Sequence, residues 1–192
     1  MKKVLFLDGI DKESTTGLKA LYLNRKYETY TPLLQTSDID VLKQKYGDSW
    51  NNIDPDEMWS AMDLPVAQVE EAIEKFQPDV VVSSSFGAAL LTRLIEEGAW
   101  EGPSVFLAAA GTNALGYHPP KGSNSPTSVW IHGKQDKLTP YSQSVKASKK
   151  CGGTLVLVND DHKLHSVVES GLIDWAIDSV AEAGPCKWTV PW

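Results

Sequence analysis

Five short apolar runs punctuate the chain: Val4 to Leu7, Asp79 to Ser83, Ser104 to Ala108, Ser128 to His132 and Thr154 to Val158. Each is bounded by turn residues and shows little polar alternation. That is the pattern of strands covered on both faces, which belong to parallel sheets flanked by helices. Helical periodicity fills the intervals. Leu64 to Gln77 carries Val66, Val69, Ile73 and Phe76 at helical spacing, with Asp63 placed as N-cap, Pro65 in the first turn and Pro78 just beyond. A second helix opens at Thr139 and Pro140, collects Lys146, Lys149 and Lys150 toward its end, where they complement the helix dipole, and stops at Gly152 and Gly153. The last helix starts with a capping box, Ser166 and Glu169, and keeps Val168, Leu172, Trp175, Ala176 and Val180 on one face until Gly184 and Pro185. A first helix over Thr15 to Lys26 and an edge strand over Glu28 to Thr31 complete an α/β pattern.

Two stretches depart from this rhythm. Ser37 to Met62 is acidic and holds Trp50 and Trp59, and Gly111 to Pro126 is rich in Gly, Pro and Ser. Long irregular segments inside compact domains are often lids or binding loops, so 37–62 and 111–126 are candidate lid segments. Trp50 and Trp59 either line an acyl pocket or pack within such a lid, while Trp130 and Trp175 fall in core patterns.

Length favours one domain over residues 1–192, because a chain of this size builds a single core of ordinary dimensions. Hydrophobic residues make up 42% and charged residues 22%, which points away from disorder and from a membrane protein. The formal net charge of -7, without a long basic run, argues against nucleic acid or an anionic membrane as partner and toward a small-molecule substrate. Cys151 and Cys186 are too few for a disulfide framework and read as reduced thiols, consistent with a cytoplasmic protein. The short apolar stretch after Lys2 and Lys3 does not make a signal-peptide core, and no apolar run reaches membrane-spanning length.

Ligands of open parallel sheets bind at the C-terminal ends of the strands, so the residues that follow each run carry the chemistry. The second run is followed by Ser84-Ser85-Phe86-Gly87-Ala88-Ala89, the fourth by Gly133-Lys134-Gln135-Asp136 and the fifth by Asp160-Asp161-His162. A serine hydroxyl becomes a nucleophile when an imidazole takes its proton, and the imidazole works best when a carboxylate holds it in one tautomer. A sharp strand-to-helix turn that presents the serine is crowded, and small residues two positions to either side relieve the crowding. Ser83 and Gly87 meet that demand around Ser85.

"SSSFG" resembles the nucleophile elbow of the α/β-hydrolase family, with Ser83 in place of the first glycine. "HGKQDKLTPYSQS" is similar to the family's acid loop and "VNDDHKLHS" to its histidine loop, and the chain order Ser85, Asp136, His162 agrees. "FLDGIDKESTTGLKALYL" resembles the N-terminal segment of small bacterial members, in which the first strand runs into an oxyanion loop. The resemblance implies a three-layer α/β-hydrolase fold with a reduced, mainly parallel sheet of about six strands, near the usual size of a sheet. It implies a serine hydrolase with Ser85 as nucleophile, His162 as base, Asp136 as its orienting acid, and the backbone N–H groups of Ile10 and Phe86 as oxyanion hole. The activity implied is hydrolysis of a small to medium carboxylic ester or thioester through an acyl-enzyme, with no cofactor and no metal. Asp8 stands where family members often have a histidine, and is expected to turn away and bond loop backbone.

Plainer readings stand beside this one. Ser85 suits a helix cap, His165 competes with His162 as base, and Asp160 or Asp161 competes with Asp136 as orienter. His132 reads as a packed structural histidine and His118 as a solvated or lid residue. No metal, phosphate-loop or dinucleotide motif is present. Trp188 and Trp192 either fold back on the domain or meet a partner, and the oligomeric state is left open. A non-catalytic binding protein on the same scaffold is the alternative function.

Overall fold

The computed structural model describes residues 1–10, 17–47, 53–111 and 127–183. His118, Trp50, Cys186, the tail tryptophans, the Gly184–Pro185 helix stop and all but the first residue of the 111–126 segment lie outside the described residues. Six strands form one all-parallel sheet: β1 (Lys3–Leu7), β2 (Glu28–Tyr30), β3 (Val80–Ser84), β4 (Ser104–Leu107), β5 (Ser128–Gly133) and β6 (Thr154–Val158), in the order β2-β1-β3-β4-β5-β6. Their apolar runs are solid because successive side chains feed two cores. In β1, Leu5 and Leu7 enter one core and Val4 and Phe6 the other.

The first core is covered by α2 (Ser37–Tyr46), α3 (Pro55–Ala61), α4 (Asp63–Phe76), α5 (Phe86–Glu96) and α6 (Ser142–Cys151). The second lies under α1 (Leu18–Lys26), α7 (His165–Glu169) and α8 (Leu172–Ala183). The result is three layers, helices on both faces of a six-stranded sheet. At the centre of the first core the buried Trp130 ring stacks on Phe106, centroids 3.8 Å apart and planes within 4°. Cys151 is a free, buried thiol in the same core. Among the described residues no helix is long and apolar enough to cross a membrane.

Several elements differ from the sequence pattern. The described parts of segment 37–62, residues 37–47 and 53–62, are largely helical: α2 buries Ile39 and Leu42, and α3 buries Met58 and Ala61. The start of α3 is set by Asp54, whose carboxylate accepts the N–H groups of Asp56 and Glu57, with Pro55 in the first turn. Trp59 lies outside the cavity lining; the Arg93 guanidinium sits 4.4 Å above its ring and donates to its carbonyl oxygen at 2.5 Å. Asp63 does not cap α4 but begins it, and accepts a 2.7 Å hydrogen bond from Arg93.

The final helix is broken in two. Gly171, at φ 72°, ends α7 in the left-handed conformation that glycine adopts without strain, and α8 starts afresh at Leu172. Phase is reset at the break, so Ile173, Ala176, Ile177 and Val180 face the sheet and Trp175 is 45% exposed rather than buried. The expected capping box is absent as well. The helix begins one residue earlier, and the Ser166 N–H and hydroxyl both donate to Asp160, at 2.8 and 2.6 Å.

Two of the described glycines are required by contact with backbone. A Cβ on Gly87 would lie 2.1 Å from the Leu7 carbonyl oxygen, because α5 begins directly against the end of β1. A Cβ on Gly133 would lie 2.3 Å from the Asp160 carbonyl oxygen, where the loop after β6 crosses the end of β5. Gly87→Ala is therefore expected to lower stability by about 2 kcal/mol or more, since the obstacle is backbone that cannot rotate aside. Urea denaturation measures this, and an unchanged midpoint with an unchanged slope contradicts the packing described.

Candidate active site

Ser85, His162 and Asp136 meet beyond the C-terminal ends of β3, β6 and β5. Ser85 occupies the single-residue turn between β3 and α5 with φ 53° and ψ −118°. Its N–H donates to the Leu107 carbonyl at 2.9 Å, and its own carbonyl accepts from Ala88 and Ala110 at 3.1 Å each, so the turn is pinned from both sides. Ser83, two residues earlier, is fully buried and directs its hydroxyl to the Val105 carbonyl at 3.1 Å. The Ser85 side chain forms no helix-cap hydrogen bond. Its Oγ lies 2.9 Å from His162 Nε2.

The other ring nitrogen of His162, Nδ1, is 2.7 Å from Asp136 Oδ2. A carboxylate only accepts, so the proton shared there belongs to Nδ1, and the Nε2 lone pair is directed at the serine hydroxyl. Asp160 and Asp161 do not compete for the ring. Asp160 accepts from Asp161 N–H and Ser166, and Asp161 accepts from Lys163 N–H at 2.8 Å, so both shape the loop that carries His162. His165 also borders the cavity, but it is His162, three residues earlier, that holds the serine.

Asp136 is a carboxylate with a donor on every side. Oδ1 accepts the N–H groups of Leu138 and Thr139 at 2.9 and 2.8 Å, and Oδ2 accepts from His162 and, at 3.0 Å, from Nε2 of His132. His132 is packed as its sequence context suggests, fully buried, but it also belongs to this network. Both partners of its Nε2, Asp136 and the Thr139 carbonyl at 2.9 Å, are acceptors. Nε2 therefore carries the proton, and Nδ1 accepts from the Ser144 hydroxyl at 2.7 Å. Its link to Asp136 was missed from the sequence, although the spacing of four residues across the Gly133 turn in "HGKQD" is the available signal.

Burial acts to raise the Asp136 pKa, but the hydrogen bonds from His132, His162 and Thr139 outweigh it and hold the group well below the ordinary aspartate range. The carboxylate stays ionised beside the imidazole.

A cavity of about 420 Å³ opens over Ser85, bordered by Gly9, Ile10, Phe86, Leu138 and His162 among others. Gly9 lies close by: a Cβ there would sit 3.5 Å from Ser85 Cβ. Asp8 also borders the cavity, and one of its oxygens accepts the Gly9 N–H at 2.8 Å. Ile10, from the loop after β1, and Phe86, which follows the serine at the start of α5, both line this cavity. Among the described residues, no three His, Cys, Asp or Glu side chains are grouped as a metal site requires.

No family model matches the chain, and no curated protein matches it by sequence. Solved structures do. A protein of Xanthomonas campestris pv. campestris named as a hydrolase of the alpha/beta superfamily is 16% identical, with a TM-score of 0.61 over 95% of this chain and 97% of that one. The ydeN gene product of B. subtilis is 15% identical, with a TM-score of 0.59 over 95% and 100% of the two chains. Mouse alpha/beta hydrolase domain-containing protein 10 is 14% identical, with a TM-score of 0.54 over 92% and 90%. At these identities the likeness is one of fold.

The network around Asp136 has a consequence for acid stability. The folded chain binds this proton less tightly than the unfolded chain, so the carboxylate adds stability above the ordinary aspartate pKa of about 4, and the contribution is lost as pH falls below it. Urea midpoints between pH 6 and 2.5 are expected to fall more steeply in the wild type than in Asp136→Asn. Parallel curves would contradict the depressed pKa.

Proposed function

Because the chain has the α/β-hydrolase fold, we propose that it is a serine hydrolase acting on a small to medium carboxylic ester or thioester through an acyl-enzyme. The observation that carries the proposal is the continuous chain of contacts Ser85 Oγ, His162 Nε2, His162 Nδ1, Asp136 Oδ2, at 2.9 and 2.7 Å, on a serine presented at a positive-φ turn. A cavity of about 420 Å³ suits a ligand of that size.

In this reading Ser85 Oγ attacks the carbonyl carbon while its proton passes to His162 Nε2. Asp136 keeps the imidazole in the right tautomer and stabilises the imidazolium. The developing oxyanion is bound by the N–H groups of Phe86 and Ile10, two residues that line the cavity; donors of this kind are worth about 2.7 to 4 kcal/mol each to the transition state. Collapse breaks the bond to the leaving oxygen or sulfur, which takes the proton from His162. Water then attacks the acyl-Ser85 ester, giving its proton to His162, and the acid is released as that proton returns to Ser85. Asp8 does not oppose the oxyanion if its carboxylate stays on the Gly9 N–H, where the structure has it.

A fluorophosphonate probe is expected to label the wild type and not Ser85→Ala. Hydrolysis of 4-nitrophenyl butyrate is expected to fall by roughly 10³-fold or more in His162→Ala, while His165→Ala keeps at least about a tenth of the activity. Absence of labelling in the wild type would favour a non-catalytic binding protein on the same scaffold.

A further inference from the structure

The described residues that line the cavity carry charge of the opposite sign to the chain as a whole. The sequence has 25 acidic and 18 basic residues, yet Lys19, Lys43 and Lys163 all border the cavity, and Asp8 is the one carboxylate among its described lining residues. Lysines are mostly solvated, but Lys19 and Lys43 are only partly exposed here. Lys19 comes from the first turn of α1, Lys43 from α2, and Lys163 directly follows the histidine that holds Ser85. Three separate elements thus bring lysines to the border of one chamber.

Lys19 is the best defined of the three. Its ammonium donates to the Lys163 carbonyl at 2.9 Å, which uses one of its three protons and anchors it at the rim. Burial lowers its pKa even though Asp8, Asp160 and Asp161 act in the opposite sense, so the nearby carboxylates do not fully offset its desolvation. The single negative charge of Asp8 is also engaged with the Gly9 N–H. In a chain of net charge -7, a local cationic chamber focuses anions that the remaining surface repels.

We propose that the cavity selects esters or thioesters that carry an anionic group, a carboxylate or a phosphate, which Lys19, Lys43 and Lys163 bind while Ser85 faces the ester carbonyl. The ester chemistry rests on the function proposed above, whereas the anion site rests on the cavity alone.

Three substrates separate the possibilities: neutral 4-nitrophenyl butyrate, 4-nitrophenyl hemiglutarate with its charge on the acyl side, and the butyryl ester of 4-hydroxybenzoate with its charge on the leaving group. At low salt, kcat/KM for at least one anionic ester is expected to exceed that for the neutral ester by about tenfold, and the excess should shrink in 0.5 M NaCl. Lys43→Met and Lys19→Met should each lower the anionic-to-neutral ratio about fivefold or more, and Lys43→Arg should restore it. Calorimetric titration of Ser85→Ala with glutarate, and separately with inorganic phosphate, reads the same site without turnover and distinguishes the two anions. Ser85-dependent hydrolysis with no anionic preference, or a preference indifferent to both lysines, overturns this inference and leaves the hydrolase reading standing. If no ester is turned over and Ser85 is not labelled, the hydrolase reading fails, and glutarate or phosphate binding weakened by Lys43→Met still supports the anion site. No binding of either anion in that case overturns it.

Discussion

The crowding of loops at the C-terminal edge of the sheet is resolved by one ionised side chain. Asp136 receives two backbone N–H groups from its own turn, one imidazole from strand β5 and one from the loop after β6. A buried carboxylate is costly unless its lone pairs are occupied, and here four donors occupy them. The same bonds that offset that cost define where His162 stands, and His162 in turn stands against Ser85. Polar satisfaction and site geometry are therefore one arrangement. Removing a donor leaves charge uncompensated in the interior as well as a misplaced ring.

His132 shows how far that arrangement reaches. It links Asp136 to Ser144 on α6, so the acid is braced from the strand beneath it and from the helix that follows. Gly133, between the two, permits the loop bearing His162 to cross at backbone contact distance. A bulkier residue there would lift the loop and separate the imidazole from both its partners.

Strand positions were legible to within a residue because each apolar run serves two cores and carries no competing periodicity. Ser85, Asp136 and His162 were legible as candidates because a parallel sheet places the residues after its strands on one rim. What escaped was local and arises from short-range chemistry. Helices α2 and α3 bury two core residues each, too few for a periodic signal, although Asp54 and Pro55 announce the start of α3. Gly171 was read through, and the resulting phase error placed Trp175 in the core. Asp63 resembled a cap in sequence, but its partner, Arg93, is thirty residues away and visible only once α4 and α5 are packed. The double use of Asp136 by two histidines likewise depends on a meeting of loops that no single stretch contains.

Ser85 is one of four non-glycine residues held at positive φ among the described residues. A side chain in that region costs on the order of 1–3 kcal/mol, and glycine would adopt it without penalty. The chain accordingly keeps a hydroxyl at a point where selection for foldedness alone would favour its loss. Under the proposed function, thermal robustness and reactivity are set against each other at a single codon, and a lineage released from that reaction would be free to drift toward glycine there and become hardier.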